Sequence, residues 1–218
     1  MLQKPLSYPE YWQMALPVGD YLNALIAFTP PPGDPYLPHY AMNQQRVRRL
    51  RKTIRLETNT IDRLRHLQAS PSPENSVLPG QGLPFSGPQP STKRHWLVIN
   101  EFWCGDGAQI TPVIEALTRA SEGLLETRVV FRDAHPELMD EFLTNGSRSV
   151  PKIIQLNEQF EVLGSWGPRP VAAQELVLRL KSHPETAGTY SEALHKWYAD
   201  DHQKSIQEEL LALLVEPA

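Results

Sequence analysis

Apolar residues in the N-terminal part of the chain recur at the spacing of an amphipathic helix. They lie three, four or seven residues apart, at Val47, Leu50, Ile54, Ile61 and Leu64. This pattern predicts one helix over 41–68, because residues at these spacings share one helix face. A shorter helix is predicted around Leu22, with Asp20 as its N-cap. Residues 1–68 are therefore interpreted as an N-terminal helical extension.

Residues 69–92 interrupt this periodic pattern and mark a boundary. Fourteen of these 24 residues are proline, glycine or serine, and no apolar periodicity runs through them. A segment of this composition buries too little apolar surface to offset the entropy of ordering it. We interpret it as a loop or linker.

The pattern after residue 92 changes from helical to mixed. Apolar runs predict strands, and the segments between them have helical periodicity. The strands are predicted at 95–101, 127–132, 150–156 and 160–164, and the helices at 108–120, 136–143 and 171–181. This order predicts an α/β fold with a mixed sheet flanked by helices, because parallel neighbours need a crossover while the last two strands can pair directly through Asn157-Glu158. One long helix over 189–214 is expected to pack on this domain.

Composition and charge exclude several classes of protein. Of the 218 residues, 40% are hydrophobic and 21% are charged, which excludes a collagen, a coiled-coil rod and a fully disordered chain. The net charge of -4 gives no signature of binding to nucleic acid or to an anionic membrane. No apolar run is long enough to span a membrane, and the first residues lack the apolar stretch of a signal peptide. A cytoplasmic location is therefore expected.

The predicted helix over 41–68 is locally basic. Eight lysine and arginine residues against two acidic ones give it a net charge of +6, while the rest of the chain carries -10. Such a helix can bind nucleic acid or an acidic partner, or it can dock onto acidic segments of its own chain such as Asp200-Asp201 or Glu208-Glu209. No nucleic-acid motif or interleaved aromatic residue accompanies the charges. Docking within the chain is favoured, and nucleic acid is not the predicted partner.

The single cysteine of the chain, Cys104, lies between a predicted strand and a predicted helix. One cysteine excludes an intrachain disulfide and an all-cysteine metal site, and the histidines show no metal-binding spacing, so no metal site is predicted. Free backbone N–H groups and the helix dipole at this position favour a thiolate. Asp106, in the same turn, disfavours a second negative charge nearby. The two effects oppose each other.

The residues around Cys104 resemble the active-site motif of the thioredoxin superfamily. Trp103-Cys104-Gly105 is similar to the start of the family's WCGPC motif, and Pro112 falls eight residues after the cysteine, where that family kinks its helix. The resemblance implies a thioredoxin-like domain over 95–182. It also implies that Cys104 is the candidate catalytic residue.

Downstream motifs extend the resemblance to loops that face the thiol. Val150-Pro151 resembles the family's cis-proline turn, which positions an incoming peptide or disulfide, and Gly164 resembles its third substrate-facing loop. The resemblance therefore implies a groove for a substrate or partner. Its implied lining is Trp103, Gly105, Asp106, Gly107, Val150, Pro151, Gly164, Trp166 and Arg169.

A narrower resemblance points to a group of bacterial thioredoxin-family proteins with a single active-site cysteine. It rests on the WCGD motif and on the WGPRP motif at 166–170. In this interpretation Trp166 and Arg169 form a recognition surface beside Cys104, because a guanidinium binds a carboxylate, such as that of glutathione, through paired N–H donors. In the alternative, Trp166 packs under the C-terminal helix and Arg169 caps a carbonyl group.

The departures from the thioredoxin motif leave two hypotheses for function. Gly107 stands where thioredoxins carry the resolving cysteine, so an intramolecular dithiol cycle is excluded. In the first hypothesis Cys104 forms mixed disulfides with glutathione or a protein thiol, as a monothiol thiol-disulfide oxidoreductase. In the second, the domain is a non-catalytic module that holds a peptide or protein partner, and Cys104 is incidental. Asp106 and Gly107 favour the second. No cofactor other than glutathione enters either hypothesis.

Overall fold

The computed structural model describes residues 6–69 and 93–215, so the predicted loop over 69–92 lies, apart from its first residue, outside the described residues. Helices flank a central group of strands. In chain order the elements are α1 Tyr8–Met14, β1 Leu16–Pro17, α2 Val18–Ala27, α3 Leu37–Thr53, α4 Thr58–Ala69, β2 Arg94–Asn100, α5 Gly105–Ala120, β3 Leu125–Phe131, α6 Pro136–Asp140, β4 Lys152–Leu156, β5 Val162–Trp166, α7 Val171–Lys181, α8 Tyr190–Asp201 and α9 Lys204–Val215. None of the described helices is long and apolar enough to cross a membrane.

The strands form one mixed sheet in the order β1-β3-β2-β4-β5. Strands β2 and β3 run parallel and are connected through α5, whereas the other neighbouring strands pair antiparallel. The central strand β2 is buried from His95 to Asn100, as a strand covered on both faces must be. The predicted α/β fold, a mixed sheet flanked by helices, is confirmed.

The N-terminal part is more than a helical extension, because it contributes the edge strand β1. Leu16 and Pro17 pair antiparallel with Val129 and Arg128 of β3. Proline is tolerated there since an edge strand need not donate every N–H group to a neighbour. Helix α2 follows directly, with Pro17 as its N-cap and Asp20 inside its first turn. The prediction of Asp20 as the N-cap was therefore wrong.

The predicted helix over 41–68 is in fact two helices, α3 and α4. Helix α3 begins earlier, at Leu37, and ends at Thr53, and its C-cap Ile54 is non-helical with ψ 133°. Ile54 and Leu64 nevertheless pack against the same hydrophobic core. The apolar spacing therefore continues across a break in the backbone, which explains why periodicity alone predicted one helix.

The C-terminal segment also contains a break that the sequence pattern did not show. His202 and Gln203 have φ angles of 52° and 63°, in the left-handed region that no α-helix of L-residues continues through. The predicted helix over 189–214 is therefore α8 and α9. In addition, β5 begins at Val162, so Gly164 lies inside this strand and does not follow it.

The N-terminal helices share one core with the sheet. Val18, Tyr21 and Leu22 of α2 and Val47 of α3 are buried in the same cluster as Ile110 of α5. A second cluster on the other face of the sheet contains Cys104 together with apolar residues of α1 and α6. Residues 6–69 are thus built into the fold.

Shortening Val47 tests this integration. Val47 of α3 is fully buried, so Val47→Ala is expected to lower the free energy of unfolding by about 2 kcal/mol through lost burial and a residual cavity. Leu37→Ala in the same helix is the control, since Leu37 is 50% exposed, and its effect is expected to stay within about 0.5 kcal/mol. Urea unfolding of both variants measures the difference. Equal effects would contradict a shared core.

The basic charge of α3 is in part neutralised by α5. Arg51 donates to both carboxylate oxygens of Glu115 at 2.9 and 2.6 Å. The acidic segments predicted to fill this role have other partners: Asp200 pairs with Lys196, and Glu209 accepts from the Trp166 indole. Arg51 therefore docks within the chain, but onto α5. The prediction that Asp200-Asp201 or Glu208-Glu209 would supply the acidic surface was wrong for this residue.

Candidate functional site

The turn between β2 and α5 places Cys104 at the N-cap of a 16-residue helix. Its sulfur accepts a hydrogen bond from the backbone N–H of Gly107 at 3.2 Å and donates one to the carbonyl oxygen of Val150 at 3.2 Å. The side chain is only 5% exposed. Because donation to Val150 requires the proton, this arrangement holds Cys104 as a thiol.

The electrostatic balance at Cys104 also favours the thiol. Burial, followed by the nearby carboxylate of Asp106, raises the pKa of Cys104 to about 12, although the N–H groups of Gly107 and Asp106 and the charge of Arg169 act in the opposite direction. Burial, which is not one of the two opposing effects expected from the sequence, is the largest effect, and together with Asp106 it outweighs the helix N-terminus.

Asp106 is held by groups from two other elements. Its carboxylate pairs with the Arg169 guanidinium at 2.7 Å and accepts a hydrogen bond from the Tyr198 hydroxyl of α8 at 2.9 Å. Arg169 also donates to Gln174 at 2.8 Å. Arg169, predicted to bind an external carboxylate through paired N–H donors, thus binds a carboxylate of the chain itself through one terminal nitrogen and Gln174 through the other.

A pocket of about 450 Å³ opens beside Cys104. Its walls come from the turn between β2 and α5, the segment at 148–150, Arg132, Arg169, and helices α3 and α8. Helix α3 and the turn before it contribute Tyr36, His39, Met42, Asn43 and Arg46, and α8 contributes Tyr190, Ser191, Leu194, His195 and Tyr198. None of these ten residues was predicted, because nothing in the sequence shows that α3 and α8 meet at Cys104.

Aromatic and cationic groups form one rim of the pocket. The Trp103 ring stacks on Tyr36 with centroids 4.6 Å apart and planes 18° apart. The Arg132 guanidinium lies over the Trp103 ring, 4.6 Å from its centroid. These contacts fix the indole beside the thiol, so the rim is ordered before any ligand binds.

The residues predicted for the groove separate into three groups. Trp103, Cys104, Gly105, Asp106, Val150 and Arg169 line the pocket. Gly107 touches the thiol through its N–H group, and Pro151 follows Val150 in a cis peptide bond. Gly164 and Trp166 lie elsewhere, beside α9, where the Trp166 indole donates to Glu209 at 2.7 Å. The alternative that Trp166 packs against the C-terminal helix is the one observed.

The space where a resolving thiol would project from position 107 is filled by Asn100. A β-carbon added to Gly107 would overlap the side-chain amide of Asn100, which is fully buried and donates to Thr111 at 3.0 Å. Within residues 6–69 and 93–215, no group of three or more histidine, cysteine, aspartate or glutamate side chains is placed to hold a metal ion.

Comparison with known proteins identifies the central part of the chain. Residues 89–187 match a family model described as thioredoxin. This segment is a thioredoxin-like domain. It contains β2 to α7, and hence Cys104 and Arg169, whereas α3 and α8, which complete the pocket, lie outside it. No curated protein matches the chain.

Solved structures resemble the chain beyond the thioredoxin-like domain. A protein of unknown function from Pseudomonas aeruginosa is 18% identical, with 96% of this chain and 97% of that chain covered and a TM-score of 0.61. An HIV epitope scaffold is also 18% identical, with 98% and 100% covered and a TM-score of 0.62. At this identity the likeness concerns the fold alone, including the flanking helices.

Proposed function

We propose that the chain is a thioredoxin-fold binding module, in which the pocket beside Cys104 holds a peptide or protein partner without a covalent bond. The observation that carries this proposal is the state of the thiol. Cys104 is buried, donates its proton to Val150 and lies next to the carboxylate of Asp106. A nucleophilic cysteine needs the opposite surroundings, an exposed sulfur near positive charge.

The walls of the pocket support binding as the main task. The thioredoxin-like domain forms one wall of the pocket, and helices α3 and α8 form another. A ligand at Cys104 would therefore be contacted by the domain and by the flanking helices. The pocket mixes aromatic surfaces with hydrogen-bonding groups, as sites that bind by shape and polarity do. Its volume of about 450 Å³ accommodates one or a few side chains of a partner.

Alkylation of Cys104 tests the proposal directly, because the chain contains no other thiol. With a pKa of about 12, iodoacetamide at pH 8 is expected to modify the native chain at least about 100-fold more slowly than the unfolded chain. Mass spectrometry over a time course measures both rates. A native reaction midpoint below the free-thiol value of about 8.5 would overturn the proposal.

Partner capture supplies the second half of the test. Partners retained by the wild-type chain are expected to stay bound to Cys104→Ser and in the presence of a reducing agent. Ser191→Trp, which fills the pocket from α8, is expected to release them, whereas Ser182→Trp serves as the control because Ser182 does not line the pocket. Loss of every partner with Cys104→Ser would favour covalent chemistry instead.

Monothiol exchange is the second candidate function, and one observation favours it. Cys104 lines the pocket, and its sulfur accepts a hydrogen bond from the N–H group of Gly107, which favours a thiolate. In this mechanism the thiolate attacks a disulfide of glutathione or a protein, a mixed disulfide forms, and the other sulfur leaves as a thiolate. A reducing compartment such as the cytoplasm would suit it. A glutathione adduct on the native chain at pH 7 would support this candidate, and with it the resemblance to single-cysteine bacterial members.

A further inference from the structure

Arg46 of α3 carries a buried positive charge that forms no salt bridge with a carboxylate of the described residues. The residue is 8% exposed. Its guanidinium donates to Asn43 Oδ1 at 3.2 Å and to the carbonyl oxygen of Gly105 at 3.1 Å, and it contacts His195 Nε2 at 3.3 Å. All three partners are uncharged acceptors. A guanidinium stays ionised in proteins, so burying it without an anion is costly.

Two partly buried arginines, Arg51 and Arg169, show how the chain pairs such a charge when it is structural. Arg51 has Glu115 and Arg169 has Asp106, each at salt-bridge distance. Asp106 attracts Arg46 at longer range, but its oxygens already bind Arg169 and Tyr198. The charge of Arg46 is thus left facing the pocket.

The rest of the pocket is complementary to an anion. Arg132 and Arg148 also line it, whereas Asp106 is the one acidic side chain among the described lining residues. Arg132 is paired with Asp133, and Arg148 is paired with Asp140. The Arg148–Asp140 pair is about half exposed on both sides, and a surface pair of this kind contributes little to stability, so Arg148 can turn to a ligand at little cost. The N-terminus of α5 adds the positive end of its dipole.

His195 supplies a neutral donor beside Arg46. Arginine has no acceptor atom, so the contact at 3.3 Å requires His195 Nε2 to accept and places the ring proton on Nδ1. Burial and the charge of Arg46 lower the pKa of His195, in agreement with a neutral ring. The Nδ1–H group is then available for a ligand.

We propose that Arg46, with His195 and the start of α5, binds an oxyanion of the ligand, a carboxylate or a phosphate group. This inference rests on the proposed function in that both place the ligand in the same pocket. It adds the chemical class of the group that is recognised. Arg46 lies in α3, outside the thioredoxin-like segment 89–187, so the flanking helix supplies the anion site.

Titration of the full chain with inorganic phosphate and with N-acetylglutamate tests the inference. In the wild type, at least one of the two probes is expected to shift the amide NMR signals of Gly105 and Asp106 saturably. Arg46→Met is expected to weaken that binding by at least about tenfold. Arg49→Met removes the same charge from an exposed position of the same helix and is expected to change the affinity by less than about twofold.

The two probes also distinguish the source of the oxyanion. Tighter phosphate binding indicates a phosphorylated ligand, and tighter N-acetylglutamate binding indicates an acidic peptide; either supports the site. The absence of a saturable shift with both probes, or equal losses in Arg46→Met and Arg49→Met, would overturn it. If Arg46→Met fails to fold by circular dichroism, Arg46→Lys is titrated instead and is expected to bind less tightly than wild type, because it lacks the planar donors.

The same titration on Cys104→Ala separates this inference from the proposed function. The anion contacts do not use the thiol, so the affinity of this variant is expected to match the wild type. A reactive Cys104 together with Arg46-dependent binding would overturn only the noncovalent function. An inert Cys104 without anion binding would overturn only the anion site.

Discussion

Gly167→Ala is expected to lower the free energy of unfolding by about 3–5 kcal/mol, a large part of the stability of an ordinary domain. Gly167 has a φ of 117°, a region in which residues with a β-carbon are strained. An added β-carbon would also overlap the carbonyl oxygen of Pro151 and approach Lys152 Cα to 3.4 Å. Both neighbours are backbone atoms and cannot rotate away. Thermal or urea unfolding measures the loss.

Gly167→Ala is also expected to disturb the candidate site, because the close backbone contact at Gly167 helps to position Arg169. Gly167 lies two residues before Arg169, and its carbonyl oxygen accepts from the buried Lys152 amine at 3.0 Å. The variant is therefore expected to loosen the Arg169–Asp106 pair as well. Gly188→Ala is the matched control, because a β-carbon there meets no atom within 4 Å. Similar losses in the two variants would show that the close contact of position 167 with the backbone of Pro151 and Lys152 is not the cause.

The sequence predicts the order of elements in the central domain because its strands contain short apolar runs, such as 96–99 in β2 and 129–131 in β3. The strands predicted at 95–101 and 127–132 correspond to β2 and β3, displaced by two residues at most. The breaks at Ile54 and at His202-Gln203 were missed, since the apolar spacing continues on both sides of them. Strand β1 was missed because two residues show no alternation.

The candidate site was predictable only where its residues are close in sequence to the cysteine. Trp103, Gly105 and Asp106 follow from the motif, and Val150 follows from the resemblance. The wall formed by α3 and α8 depends on tertiary packing, such as the contact between Arg46 and His195, which are 149 residues apart. The one available signal was the basic charge of α3, and it gave no indication that Arg46 points inward while Arg49 is exposed.

The packing around Gly107 leads to the second large effect. Gly107→Ala is expected to destabilise the chain by about 3–5 kcal/mol, although alanine is the better helix former by about 1 kcal/mol. The new β-carbon would occupy the space of the Asn100 amide, which is fully buried and anchored to Thr111. Because Asn100 can move aside only by breaking its buried hydrogen bond to Thr111, the overlap is expected to outweigh the gain in helix propensity. Urea unfolding of the variant measures the loss.

A double-mutant cycle then shows whether Asn100 is the cause. Asn100→Ala alone is expected to cost about 1–3 kcal/mol through the lost hydrogen bond to Thr111, but it also empties the space that position 107 needs. The combined variant is therefore expected to lose at least about 2 kcal/mol less than the sum of the two single losses.

Gly105→Ala is the control in the same turn, since a β-carbon there lies at an ordinary 3.4 Å from the Arg46 guanidinium. Strict additivity would mean that Asn100 does not exclude a side chain at 107, and the absence of a second thiol would then need another physical explanation. A positive coupling would show that the buried amide of Asn100, at the end of β2, excludes a side chain at position 107, so that the packing beneath Cys104 leaves no room for a second thiol there.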